Sequence, residues 1–199
     1  MAFNWNAEKI NVLLNKVNNT KIVKSVFTIG FDDGNVSKQF LDRYNIEEFI
    51  TFDQQSSAER KFDKIKKNYN SNMRFVSGDP KNTVKEEVDK FLDFIDIIYI
   101  NGLYSVYNNI LDPLYKLRKG GFIWVDDYYV EIYSGGTYQD FNFSCDCEIG
   151  TQEHIDFLEN LQKYEPIYSS TAYAVDYIFS NDDRYTIDKY NGYAIITKN

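Results

Sequence analysis

Two hydrophobic patterns alternate along the first two thirds of the chain. Short continuous apolar runs, of which 94–100 is the most apolar, are typical of strands buried on both faces. Between these runs, apolar residues recur every three or four positions, as Ile10, Leu13 and Val17 do in the N-terminal segment 1–20. Parallel strands need crossover helices, so the alternation predicts a mostly parallel sheet flanked by helices. The predicted elements are helix 7–18, strand 22–29, helix 35–45, strand 48–53, helix 57–70, strand 73–76, helix 80–93, strand 94–100, helix 105–118 and strand 122–125.

The last crossover contains two residue types that break helices. Pro113 predicts a kink or a late start of helix 105–118. The pair Gly120-Gly121 predicts the end of that helix, ahead of strand 122–125.

The pattern becomes less regular after Tyr128. The stretch 128–150 is polar and long enough to be a lid or an acceptor-binding loop. Two strands near the C-terminus would complete a seven-stranded sheet in one domain spanning 1–199. The remaining predicted elements are helix 151–163, closing strands 164–168 and 193–197, and polar turns over 171–190 with a possible short strand at 173–179.

Composition excludes several classes of partner. The chain has 199 residues, is 43% hydrophobic and carries a net charge of −8, so it is a folded, acidic protein. This charge repels a nucleic-acid backbone. The richest basic run, 60–67, is interrupted by Asp63, and we interpret it as the solvated face of a helix. We therefore expect no nucleic-acid partner.

The sequence also predicts a cytoplasmic protein with no membrane partner. No apolar stretch approaches the length of about 18 residues that a membrane-spanning helix needs. The segment 1–6 lacks the basic and apolar regions of a secretory signal. Cys145 and Cys147 are separated by one residue, which suits neither a disulfide nor the usual zinc pair, so we expect free thiols.

A glycine turn follows the first predicted strand. The run Val26–Ile29 stops at Gly30, and a second glycine, Gly34, precedes a predicted helix. Such a strand–turn–helix unit lets the backbone approach a ligand closely. Asp53 ends the second strand 23 positions after Gly30, where a carboxylate can accept hydrogen bonds from ribose hydroxyls.

Polar groups follow every strand of the predicted parallel sheet. In a Rossmann-like, doubly wound sheet, ligands bind outside the carboxyl ends of the strands. One crevice could therefore collect all of these groups. They are the turn Gly30–Gly34, Asp53, the pair Gly78-Asp79, the pair Asn101-Gly102 and the pair Asp126-Asp127.

Three stretches resemble class I S-adenosylmethionine-dependent methyltransferases, and above all the small O-methyltransferases. Residues 29–37 match an Ile-Gly-x-x-x-Gly-x-Ser turn, and residues 120–127 match a Gly-Gly-x-x-x-x-Asp-Asp strand. Residues 100–104 match an Ile-Asp-Gly-x-His strand end with two departures, Asn101 and Tyr104. The resemblance covers roughly residues 20–130 and depends on the order and spacing of the motifs.

The resemblance implies S-adenosylmethionine as cofactor. This cofactor is a sulfonium cation without phosphates, which suits a turn that contains Asp32 and Asp33. The glycine turn would lie against the methionine part, Asp53 would hold the ribose, and Asp79 with its neighbours would contact the adenine. The implied cofactor-binding residues are Gly30, Asp32, Gly34, Ser37, Asp53, Gly78, Asp79 and Asn101.

A hydroxyl acceptor needs a base or a metal that lowers its pKa. Asn101, Asp126 and Asp127 offer oxygen ligands of the kind that Mg²⁺ or another divalent cation prefers. Asp126, Asp127 and His154, the only histidine, are the candidate catalytic residues. The simpler interpretations stay open: the two acids only end a strand, and His154 is structural or exposed.

These features predict an O-methyltransferase that acts on a small hydroxylated molecule or a sugar. The oligomeric state is left open, with a homodimer as one candidate. A second interpretation is a catalytically weakened or inactive binding module. It is based on Asn101, Tyr104 and Thr28, which stands where the family often has an acid. A third is a nucleotide-sugar-modifying or NAD-using enzyme, although the acids Asp32 and Asp33 would repel a pyrophosphate.

Overall fold

The computed structural model describes residues 5–18, 22–31, 34–78, 80–91, 93–101, 106–128, 174–190 and 192–199. A short additional helix spans 174–179. No helix in these ranges is long and apolar enough to cross a membrane. The helices and strands are α1 (Trp5–Asn18), β1 (Ser25–Ile29), α2 (Asn35–Arg43), β2 (Glu48–Asp53), α3 (Ser56–Lys66), β3 (Asn72–Ser77), α4 (Pro80–Asp89), β4 (Ile95–Ile100), α5 (Val106–Leu114), β5 (Leu117–Tyr128), β6 (Tyr185–Tyr190) and β7 (Gly192–Lys198).

The strands form one seven-stranded sheet in the order β3-β2-β1-β4-β5-β7-β6. Strands β1 to β5 are parallel, and β7 runs antiparallel between β5 and β6. Helices α1, α2 and α3 pack on one face, and α4, α5 and the 174–179 helix pack on the other. The predicted fold class, a doubly wound and mostly parallel sheet flanked by helices, is confirmed.

The two central strands explain why the sheet is stable. Every residue of β1 and β4 is buried, because helices cover both faces of the sheet. Along β1, Val26 faces the cluster under α1 to α3, and its neighbour Phe27 faces the cluster under α4 and α5. The order in which successive strands are added to the sheet reverses between β1 and β4, and open sheets of this kind bind ligands at that switch point.

The predicted C-terminal end of helix 105–118 was wrong. Helix α5 stops at Leu114, and Gly120-Gly121 lies inside β5, which begins at Leu117. Gly120 has a positive φ of 71°, and β5 shifts its register against β4 in this region. A Cβ on Gly121 would lie 2.8 Å from the Arg118 carbonyl oxygen, so the glycine allows two backbones to approach closely.

The C-terminal prediction was also partly wrong. Residues 174–179 form a helix where a short strand was predicted, and β6 is a strand inside the stretch that was predicted as turns. The missed indication is Asn191-Gly192, a two-residue hairpin loop sequence, and Gly192 has a φ of 89°. The predicted helix 151–163 and strand 164–168 lie outside the described residues.

The other predicted elements differ from the observed ones only at their ends. Strand β1 begins three residues later than predicted, at Ser25, and α2 ends at Arg43. Helices α3 and α4 end at Lys66 and Asp89, four residues before the predicted ends at 70 and 93. Turns follow α3 at Lys67-Asn68 and α4 at Lys90.

A buried carboxylate joins β1 to β4 at the amino edge of the sheet. Asp96 Oδ2 accepts hydrogen bonds from the backbone N–H groups of Lys24 and Ser25 at 2.8 and 3.1 Å. Its Oδ1 pairs with Arg118 Nε at 2.9 Å, which adds β5 to the same group. The start of the three central strands therefore depends on one side chain.

We predict that Asp96→Ala lowers the free energy of unfolding by about 3 kcal/mol, because it leaves buried donors unsatisfied. Asp93→Ala is the matched control: Asp93 pairs with the same Arg118, but its side chain is 75% exposed. The control should change stability by less than about 0.5 kcal/mol. Urea unfolding measures both values, and equal losses would contradict the assignment.

Candidate functional site

The turn after β1 lies where the carboxyl ends of three strands meet. Gly30 has a φ of 88°, and its N–H donates to the Phe52 carbonyl at the end of β2, at 2.8 Å. The Asn101 N–H donates to the Ile29 carbonyl, also at 2.8 Å. The ends of β1, β2 and β4 are thus joined at the switch point of the sheet.

Gly34 closes this turn directly before α2. It has a φ of 80°, and its N–H donates to the Phe31 carbonyl at 2.9 Å. A Cβ at Gly34 would lie 2.6 Å from Ile65 Cδ1 and 2.7 Å from the Phe31 ring. Both the backbone conformation and the packing therefore require glycine at this position.

Phe31 fixes the turn to the neighbouring elements. Its side chain is only 3% exposed. The ring packs edge-to-face against Phe62 of α3, with 5.7 Å between the ring centroids, and against Phe75 of β3 at 6.2 Å. Such pairs add to the stability gained from burial. The turn is held by a packed aromatic cluster.

Asp53 lies beside the glycine turn, as predicted, but it is enclosed. Its Oδ2 accepts the Phe31 N–H and its Oδ1 accepts the Gln55 N–H, each at 2.8 Å. The residue is 1% exposed. In this conformation the carboxylate holds the turn and presents almost no surface to a ribose.

Thr28 occupies the position where the resembled family often has an acid. Its hydroxyl donates to the hydroxyl of Thr51 on β2, at 2.6 Å, and both residues are fully buried. The pair satisfies its polar atoms inside the sheet. Thr28 therefore does not reach the crevice in the observed conformation.

The other side of the crevice is formed by the ends of β4 and β5. Asn101 and Asp126 follow the paired residues Ile100 and Val125, and both are half-buried. The Tyr99 hydroxyl donates to Asp126 Oδ2 at 3.4 Å, a long hydrogen bond. Asp126 is thus oriented by a side chain from the neighbouring strand.

An aromatic cluster lies beside Asp126, and no sequence pattern predicted it. Trp124 packs edge-to-face against Tyr99 at 5.1 Å and against Tyr193 at 6.1 Å. Tyr193 lies opposite Asp126 in the β5–β7 register. Tyr193 was missed because its position depends on the β6–β7 hairpin, for which Asn191-Gly192 was the available indication.

The remaining predicted site residues divide into two groups. Ser37 is buried in α2, and Gly78 follows β3 with a φ of 142°. The backbone of Asp127 belongs to β5. Outside the described residues lie Asp32, Asp79 and His154, together with Gly102, Tyr104 and all of the predicted lid 128–150 except its first residue.

The described residues do not test the predicted metal site. Among them, no group of three or more His, Cys, Asp or Glu residues lies close enough to hold a metal ion. Asn101 and Asp126 provide oxygen donors at adjacent strand ends. The divalent cation therefore stays a prediction.

Solved structures share this architecture. A protein assigned as a caffeoyl-CoA O-methyltransferase from Staphylococcus aureus is 16% identical, with a TM-score of 0.64; the match covers 96% of this chain and 83% of that one. An O-methyltransferase from Bacillus cereus in complex with SAH is 11% identical, with a TM-score of 0.62 and coverages of 100% and 83%. The N-methyltransferase NodS from Bradyrhizobium japonicum WM9 is 12% identical, with a TM-score of 0.56 and coverages of 99% and 98%.

No protein-family profile matches the chain, and no curated protein matches it. The structural likenesses have identities of 11% to 16%, which show the fold and do not transfer an activity. The chain therefore has the Rossmann-like fold that these methyltransferases share.

Proposed function

We propose that this protein is an S-adenosylmethionine-dependent O-methyltransferase that acts on a small hydroxylated molecule or a sugar. The observation that carries the proposal is the meeting of Gly30, Gly34, Asn101 and Asp126 at the carboxyl edge of the sheet, around the switch point between β1 and β4. Open sheets bind ligands at this position. The fold shared with an O-methyltransferase that binds SAH supports the same cofactor.

The glycine turn fits the methionine part of this cofactor. Gly30 and Gly34 have no side chains, so the backbone of the turn can lie against a ligand. When bound, S-adenosylmethionine supplies a methyl group that is activated by its positive sulfur. The net charge of −8 attracts such a cation. Asp53 would hold the ribose, Gly78 and Asp79 would lie near the adenine, and Asp32, Ser37 and Asn101 would complete the site.

On the acceptor side, Asp126 is our candidate base. An acceptor hydroxyl has to lose its proton as it attacks the methyl group, and a half-exposed carboxylate can accept that proton. The Tyr99 hydroxyl donates to Asp126 Oδ2 and would keep Oδ1 directed to the acceptor. Asp127 and His154 stay as further candidates, and Asn101, Asp126 and Asp127 stay as candidate ligands for Mg²⁺ or another divalent cation.

A second candidate function is a methyltransferase-fold binding module. Two observations favour it: Thr28 is buried against Thr51, and the Asp53 carboxylate is enclosed by the turn. Both reduce the number of groups that can hold a cofactor. A nucleotide-sugar-modifying or NAD-using enzyme is our third candidate. A cytoplasmic location and the absence of nucleic-acid and membrane partners are proposed from the composition and the apolar pattern alone. The oligomeric state stays open, with a homodimer as one candidate.

The first prediction of the proposed function concerns cofactor binding. We expect isothermal titration calorimetry to show binding of both S-adenosylmethionine and SAH to the wild-type protein. Gly34→Ala should weaken both by about tenfold or more, because the added Cβ displaces the Phe31 ring and Ile65. Lys64→Ala, on the exposed face of α3, is the control and should bind as the wild type does.

The absence of heat and of any thermal shift at millimolar cofactor would contradict the proposed function. A shift with NAD in place of S-adenosylmethionine would favour the third candidate. Gly34→Ala should first be shown to fold by circular dichroism. Unchanged affinity in the folded variant would mean that the turn does not contact the cofactor.

The second prediction concerns the base. Asp126→Asn should lower methyl transfer by about a hundredfold while leaving cofactor affinity within about twofold, because the amide cannot accept the proton. Transfer is measured with labelled S-adenosylmethionine and a panel of hydroxylated acceptors and sugars, with and without Mg²⁺. Cofactor binding without turnover on any acceptor would favour the binding module, and full activity of the variant would exclude Asp126 as the base.

The third prediction separates the two roles of Asp53. Asp53→Asn should lower the stability of the cofactor-free protein by about 1 to 3 kcal/mol, because the amide nitrogen cannot accept one of the two N–H groups. Asp63→Asn, which alters an exposed acid of α3, is the control. Unchanged stability in urea unfolding, together with weaker cofactor binding, would mean that Asp53 serves only the ribose.

A further inference from the structure

Strand β5 changes its register against β7 at the two acids. Asp126 pairs with Tyr193, whereas Tyr128 pairs with Gly192, so β5 advances by two residues while β7 advances by one. This is a β-bulge centred on Asp127. Bulges of this kind redirect side chains and are common beside functional sites.

The bulge moves Tyr128 to the opposite face of the sheet. Trp124 packs under α1 to α3, and Val125 packs on the other face. Regular alternation would return Tyr128 to the face of Trp124, but Tyr128 packs with Val125. Asp126 stays on the face of Trp124, where the Tyr99 hydroxyl reaches it.

Tyr128 is held in this position by a polar network from two other elements. Its ring is 1% exposed, and its hydroxyl donates to Asp176 Oδ1 of the 174–179 helix at 3.2 Å. Lys189 Nζ of β6 pairs with the same oxygen at 2.7 Å. Burial, followed by the nearby Asp176 charge, raises the pKa of Tyr128, so the phenol stays protonated as a donor.

We propose that Tyr128 is a positioning residue: its hydrogen bond to Asp176 locks the β5 bulge and thereby directs Asp126 toward the acceptor. Tyr128 acts through the backbone of Asp126–Tyr128 and does not touch the acceptor itself. The network of Tyr128, Asp176 and Lys189 joins the end of β5 to the 174–179 helix and to β6. The effect on catalysis depends on the methyltransferase function proposed above, whereas the effect on the bulge does not.

The experiment compares Tyr128→Phe, which removes the donor, and Asp176→Ala, which removes the acceptor, with Tyr185→Phe. The control removes a hydroxyl from another buried tyrosine that packs on Phe179 and lies outside the network. Both network variants should lower kcat by about tenfold, because the orientation of the Asp126 side chain changes. Their KM for S-adenosylmethionine should stay within about twofold of the wild-type value, because the cofactor site is unaltered. Tyr185→Phe should keep the wild-type kcat.

A second measurement tests the stability of the bulge and does not require enzymatic activity. Hydrogen–deuterium exchange of the segment 122–128 in the cofactor-free protein should be about tenfold faster in Tyr128→Phe and Asp176→Ala than in the control. If the wild type transfers no methyl group, the proposed function fails. The exchange data alone then test whether the hydrogen bond from Tyr128 to Asp176 stabilises the bulge. Wild-type exchange in both variants, or faster exchange with unchanged kcat in an active enzyme, would overturn the proposal.

Discussion

Parallel pairing of β1 with β2 and with β4 is the constraint on which the rest of the molecule depends. Parallel neighbours can be joined only by crossovers, so every strand from β1 to β5 ends at the same edge. The crossovers place α2 and α3 on one face and α4 and α5 on the other, which leaves a gap at the switch point. The apolar core thus determines where polar chemistry can gather.

The glycine turn shows that stability and ligand binding compete for the same groups. The Asp53 carboxylate accepts the N–H groups of Phe31 and Gln55, which holds the turn in the absence of a ligand. A ribose would have to share or displace these bonds, and the packing of Phe31 would have to loosen. Thr28 offers no compensating charge, because its hydroxyl is used inside the sheet. We therefore expect this cofactor site to be less preorganised than one in which the Asp53 carboxylate is open to the ligand.

The sequence predicted the parallel half of the fold because each strand is an apolar run bounded by turn residues, as in Val26–Ile29 before Gly30. It also predicted β7 as strand 193–197, but it did not predict β6. Strand β6 has polar residues at several positions, and its pairing depends on Asn191-Gly192. The site residues that follow the strands were predictable, because the carboxyl ends of parallel strands meet at one edge of the sheet. Tyr193 and Tyr128 were not, because their positions follow from a hairpin register and a bulge.

We infer that the carboxyl edge between β1 and β4 holds S-adenosylmethionine. The decisive measurement is a crystal structure of the protein with SAH, a stable product of the proposed reaction. We expect a ligand against the turn from Gly30 to Gly34, with its ribose at Asp53 and its sulfur facing Asp126. A ligand bound elsewhere, or an unliganded crevice at saturating SAH, would show that this edge is not the cofactor site.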